Sequence, residues 1–249
     1  MLTRIPTLLL CFCLSICAAA TVAAELDAVL VAADRSDADR ERDATSKPAE
    51  VLAFFGVAPG MRVADLFAGG GYYSEIVSRA VGPTGRVTAH NNRAYAQFAA
   101  DGPAKRFDND RLGNVDYIVT EADDLQLPEA LDLVIMVMSL HDVYWVDESQ
   151  GWPAIDRRKF IEQVFESLKP GGSLGIVDHS AIAGTGIESV DPLHRIDEAF
   201  VSAELEAVGF RLVAESDILR NPEDDRTKGV FDPSIRRMTD RFVLRFEKP

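Results

Sequence analysis

The stretch FIEQVFESLKPGGSLGIVDH, residues 160–179, decides the fold class. Its first half spaces apolar residues as one face of a helix and stops at Leu168. Pro170, Gly171 and Gly172 then make a turn, and an apolar run follows that ends on Asp178 and His179. A helix that delivers a buried strand is one crossover of a parallel sheet, and in such sheets ligands sit outside the carboxyl ends of the strands.

The same alternation extends in both directions. Strands are expected over 62–67, 86–90, 117–120, 131–138, 173–178, 211–216 and 241–246, with helices near 72–80, 93–100, 155–168 and 193–208. Between the last two strands lies RNPEDDRTKGVFDPSIRRMTD (220–240), polar and without a helical stretch, which predicts an antiparallel final strand. The fold class is therefore α/β: a doubly wound, mostly parallel seven-stranded sheet with an antiparallel last strand. Strands four and five are expected to flank strand one.

The first strand-to-helix turn, in VADLFAGGGYYSE (63–75), places Asp65 and the loop Ala68, Gly69, Gly70, Gly71 on the floor of the ligand site. Glycines there admit positive φ and close approach of a ligand to the backbone. A phosphate loop is excluded because no Gly-Lys-Ser/Thr follows. The nicotinamide fingerprint fits poorly too: Ser74 stands at its third glycine, and Asn91 stands where an acid should hold the ribose.

The N-terminus, MLTRIPTLLLCFCLSICAAATVAA, has a basic residue, Arg4, then an apolar core and a small-residue end, the pattern of a secretory signal peptide over residues 1–24. Its apolar core is shorter than the roughly 18–20 residues of a membrane span. LSIC resembles a lipoprotein signal, but Ile16 precedes Cys17 where a small residue is expected. The expected locations are periplasmic or secreted, with no stable membrane span in the mature chain. Cys11, Cys13 and Cys17 all lie in this segment, so the mature chain would have no disulfide, thiolate nucleophile or cysteine metal site. Loss of Arg4 moves the net charge from −14 to −15, which argues against nucleic-acid partners and anionic membrane surfaces. Residues 25–56 read as an N-terminal helical arm, helical from Ala49 to Phe55 where the apolar face begins, and 57–249 as the catalytic domain.

Taken together these segments resemble the class I S-adenosylmethionine-dependent methyltransferases. The family's loop D-x-x-x-G-x-G is matched by Asp65, Gly69 and Gly71, and its Leu-Lys-Pro-Gly-Gly by residues 168–172. EALDLVIMVMSLHDVYW (129–145) resembles the fourth strand and EADDLQLP (121–128) the adenine-holding segment. The resemblance runs from about Lys47 to the C-terminus. It implies a Rossmann-like methyltransferase fold and S-adenosylmethionine as cofactor. Gly69 and Gly71 would lie against its methionine part and ribose, and Asp65 would face the amino group. Glu121, with Asp123, would accept from the adenine amino group, and Leu125 would pack on the ring. Two departures stand out: Asn91 replaces the acid that commonly accepts from the ribose diol, and Phe67 replaces a common glycine.

His90, His141 and His179 fall at carboxyl ends of strands, and His194 opens a helix. Methyl transfer to a hydroxyl or amine needs positioning and removal of a proton. His141 is the candidate base, oriented by Asp142 or Asp178, with His179 beside it. A divalent metal on Asp142, Asp178 and a histidine is a competing reading, and no metal is assigned. Tyr72, Tyr144 and Trp145 are candidate aromatic walls for a small-molecule substrate, and His194 and Arg195 candidate substrate contacts. The oligomeric state is not legible. A nicotinamide oxidoreductase and a non-catalytic nucleoside-ligand-binding protein of the same fold remain the alternatives.

Overall fold

The computed structural model describes residues 26–107 and 111–249. The expected signal peptide, residues 1–24, lies outside them. Residues 26–30 are helical, and Ser36 then caps α1 (Asp37–Ser46), its hydroxyl accepting from the Asp39 amide. Lys47, at φ 42°, breaks α1 from α2 (Pro48–Phe55), which Pro48 opens and Gly56 closes. The charged sequence of α1, DADRERDATS, has no apolar periodicity that would mark it as a helix. What holds this helix is its cap and the Arg35–Asp43 ion pair at 2.6 Å.

The chain continues as β1 (Arg62–Leu66), α3 (Tyr72–Val81), β2 (Arg86–Asn91), α4 (Arg93–Ala99), α5 (Gly102–Phe107), β3 (Val115–Val119) and β4 (Leu131–Val137). A 3-10 turn at His141–Val143 follows, then α6 (Arg157–Ser167), β5 (Leu168–His179), α7 (Val190–Leu193), α8 (Glu198–Val208), β6 (Arg211–Ser216) and β7 (Arg241–Glu247). The seven strands form one sheet in the order β3-β2-β1-β4-β5-β7-β6, parallel except for β7, which runs antiparallel to both β5 and β6. The α/β expectation, including the antiparallel last strand, holds. One adjacency does not: β1 is flanked by β2 and β4, and β5 lies beyond β4.

Alternation along the central strands explains why both faces are covered. Val63, Leu133 and Ile135 point into a core shared with α2 and α3, whereas Ala64, Leu66, Val134 and Met136 point into one shared with α6 and α8. Gly175 of β5 lets the arm close on the sheet, since a Cβ there would lie 2.7 Å from the Phe55 ring. The Pro-Gly-Gly segment, read as a turn, is absorbed into β5: Leu168 already pairs with Leu131, and the register shifts before Ser173 pairs with Leu133.

Candidate active site

Two clusters stand at the carboxyl ends of the strands. The first is the loop after β1. Phe67 begins it in the left-handed region at φ 52°, a conformation that costs a non-glycine residue about 1 kcal/mol or more. Packing holds it there: the ring is buried and stacks on Tyr95 at 4.8 Å and Phe160 at 5.5 Å. Asp65 is buried, and one of its oxygens accepts from the Ser74 hydroxyl at 2.6 Å. Burial pushes its carboxyl up to about 6, against the opposing hydrogen bonds from Ser74. Ser74, read as a failed third glycine, is thus the partner of Asp65.

The glycines divide the work. A Cβ at Gly69 or Gly70 would meet nothing within 4 Å, so the Cα side of this backbone lies open to a ligand, which fits the cofactor assigned from the sequence. Gly71 is different, because a Cβ there would lie 2.3 Å from the Phe107 ring and 3.0 Å from Arg106. Its missing side chain makes room for α5. Ala68 is half-buried and its amide donates to the His90 carbonyl at 3.0 Å.

Asn91 is engaged by the glycine loop itself. Its Oδ1 accepts from the Gly69 amide at 2.9 Å, and its Nδ2 donates to the Gly69 carbonyl at 3.0 Å and the Tyr117 hydroxyl at 3.2 Å. Asn91 thereby clamps the glycine loop. Glu121 stays half-exposed just past β3, paired with Arg93 at 2.9 Å, and Asp123 is exposed. Leu125 is buried in the core, its amide donating to Gln163 at 2.8 Å.

The second cluster follows β4 and β5, where Met138 at φ 57° turns the chain into the 3-10 turn. His141 Nδ1 lies 2.7 Å from Asp178 Oδ1, and the His141 amide donates to Asp178 Oδ2 at 2.8 Å. The Nδ1 proton therefore faces Asp178, and Nε2 is left toward Asp142 Oδ1 at 3.4 Å. Asp142 accepts the Tyr95 hydroxyl on its other oxygen and has His194 Nδ1 3.7 Å from Oδ1. Burial alone would pull the His141 imidazole down, but the carboxylates of Asp142 and Asp178 outweigh it and hold it up at about 9. His179, whose Nδ1 contacts Thr239 Oγ1 at 2.8 Å, is pushed well down by burial and by His141. The two clusters are joined by Tyr95, which touches both Phe67 and Asp142.

Trp145 packs on His194 at 5.0 Å, and Tyr144 on Phe200 at 5.5 Å. Two expected substrate contacts are not brought there. Tyr72 is buried against the arm, its hydroxyl donating to Asp43 at 2.6 Å under the Arg42 guanidinium. Arg195 is fully buried, and its guanidinium is consumed by Asp224 at 2.9 Å and the carbonyls of Ser180 and Lys228. The sequence reading missed Tyr95 and Thr239. Nothing local marks either, since their partners lie 47 and 60 residues away in the chain.

Sheet order, glycine loop and strand-end cluster define a Rossmann-like methyltransferase domain. Residues 64–176 match the family described as a methyltransferase domain, and together with the fold this match supports a class I S-adenosylmethionine-dependent methyltransferase. It is 32% identical over 130 residues to the ubiquinone/menaquinone biosynthesis C-methyltransferase UbiE of Hydrogenovibrio crunogenus, covering 51% of this chain and 45% of that protein. To the UbiE of Vibrio vulnificus it is 29% identical over 186 residues, covering 70% and 64%. The chain thus spans about half to somewhat under two thirds of the length of these relatives. A methyltransferase structure from Aquifex aeolicus shares the fold, with a TM-score of 0.57 at 23% identity over 81% of this chain and 89% of that one.

Proposed function

We propose that this chain transfers the methyl group of S-adenosylmethionine to a small-molecule acceptor, with His141 as the group that receives the acceptor's proton. The observation that carries this reading is the orientation of His141. Its Nδ1 side is held by Asp178, so Nε2, which carries a lone pair once the imidazolium has lost its proton, is turned to the edge that Tyr95 links to the glycine loop.

When bound, S-adenosylmethionine supplies an electrophilic methyl group on a cationic sulfonium. Gly69 and Gly70 would offer it an unobstructed backbone, Asp65 a carboxylate, and Glu121 with Leu125 the adenine end. Tyr144 and Trp145 would wall the acceptor. His141 would take one proton from the acceptor as its lone pair engages the methyl carbon, and Asp178 would hold the resulting imidazolium in place. The acid excess of the chain favours a small molecule over nucleic acid. The UbiE relatives are named for a C-methylation, and a base at His141 serves a carbon acid as well as a hydroxyl.

We also propose export to the periplasm or medium, on the N-terminal pattern; a mature N-terminus at Glu25 in mass spectra of a cell fraction is expected, and retention of Met1 in the cytoplasm would overturn it. Among the described residues no helix is long and apolar enough to cross a membrane. Calorimetric titration with S-adenosylmethionine and with NADH tests the central reading. Binding of the first is expected, and binding of NADH alone would return the chain to the oxidoreductases.

A further inference from the structure

We infer that His141, Asp142 and His194 form a binding site for one divalent transition-metal ion of the zinc type, on the edge assigned above to the acceptor. Their donor atoms, one from each residue, all lie within 4.8 Å of one another. His141 Nε2 stands 3.4 Å and His194 Nδ1 3.7 Å from Asp142 Oδ1. Tetrahedral donors at about 2.0–2.1 Å from zinc stand roughly 3.3–3.4 Å apart, so each imidazole nitrogen is within a few tenths of an ångström of that spacing from Asp142 Oδ1, and the two imidazoles would draw together around the ion. Both carboxylate–imidazole contacts are longer than an ordinary hydrogen bond.

The surroundings complete the argument. The Nδ1 of His141 faces Asp178 at 2.7 Å, the outer carboxylate that fixes a metal-binding imidazole with its other nitrogen turned inward. The second oxygen of Asp142 is held by Tyr95, which leaves Oδ1 as the free donor. His194 is held in the left-handed region at φ 52°, between the rings of Trp145 at 5.0 Å and Phe231 at 5.2 Å. Two imidazoles and one carboxylate are a borderline donor set that suits zinc or iron and disfavours magnesium and calcium. Three protein ligands also leave a fourth position open. Asp178, grouped with the ligands in the sequence reading, belongs to the outer layer instead, because both its oxygens are already engaged by His141.

The ion and a proton compete for the same Nε2 lone pair. The inference rests on the methyltransferase reading but changes one role within it: with the ion in place His141 would be a ligand, and the acceptor's acidic group would meet a cation in place of the base. Binding of the ion itself does not depend on that reading.

The test is titration of the untagged, chelator-stripped chain with cobalt(II) and zinc(II), without cofactor or acceptor. One equivalent is expected, with the intense visible absorption of tetrahedral cobalt, displaced by zinc. Asp142→Asn and His194→Asn should each weaken binding by at least tenfold, and Asp178→Asn by about 10- to 100-fold. Asparagine tolerates the left-handed backbone of residue 194, so that variant keeps its fold, as circular dichroism would verify. Absence of stoichiometric binding in the wild type, or affinity unmoved by both ligand variants, overturns the inference. S-adenosylmethionine binding is measured separately, so a chain that takes the metal but not the cofactor sinks the methyltransferase reading alone.

Discussion

Asn91 and Gly69 are joined by two hydrogen bonds, amide to side-chain oxygen and side-chain nitrogen to carbonyl, across 22 residues of chain. The carboxamide does what a neighbouring strand would do, pairing both backbone groups of one residue. A carboxylate has no donor and can make only the first of these bonds. The departure from the family pattern at this position is thereby explained by the loop it anchors.

Asn91→Asp should therefore destabilise the chain by about 1–3 kcal/mol, because a buried carboxylate would face the Gly69 carbonyl. Urea unfolding measures this. An equally stable variant would show that the clamp contributes nothing.

Phe67→Gly sets two effects against each other. Glycine relieves the left-handed strain, worth roughly 1 kcal/mol, but removes a ring stacked between Tyr95 and Phe160, a loss of about 3–5 kcal/mol. The melting temperature should fall. A rise would mean that strain, not packing, dominates this position.

Asp65 and His90 should give opposite pH slopes. Asp65 is raised to about 6, so the folded state holds its proton longer, and stability from this residue falls as pH rises from about 4 to 6. Burial lowers His90 to about 4, so the unfolded state takes its proton first, and stability falls as pH drops from about 6.5 to 4. Each is worth up to about 3 kcal/mol, and in the native chain they offset. Asp65→Asn should unmask the acid loss, and His90→Gln the opposite slope, in melting curves across this window. Parallel wild-type and variant profiles would refute the assignment.

His141→Gln should leave S-adenosylmethionine affinity unchanged in calorimetry and lower turnover of an identified acceptor by about 10²- to 10⁴-fold. Unchanged turnover would make His141 structural.

Asp224→Asn would strip the buried Arg195 of its counter-charge, at a cost of about 3–5 kcal/mol in denaturant unfolding. A small effect would show that the carbonyls of Ser180 and Lys228 suffice.

How far the site could be read varied with the kind of interaction. Gly69 as an open turn, Asp178 and His179 at a strand end and the antiparallel β7 were all legible, because positive φ, apolar runs and linker composition are local properties. Arg195 and Tyr72 were misplaced for the opposite reason. Their neighbours in the chain say nothing of Asp224 and Asp43, which satisfy them.

By itself the sequence determined the class of fold, the order of its strands along the chain and the backbone of the cofactor loop, since steric and burial preferences act over a few residues and repeat along the chain. Only the tertiary structure decided that Asn91 is a clamp, that Asp178 orients His141, and that Asp142 stands between two imidazoles. Hydrogen bonds and ion contacts are short and directional, so they depend on ångström-scale placement of groups far apart in the chain. Packing of the two cores against the sheet sets that placement, and no periodicity in the sequence encodes it.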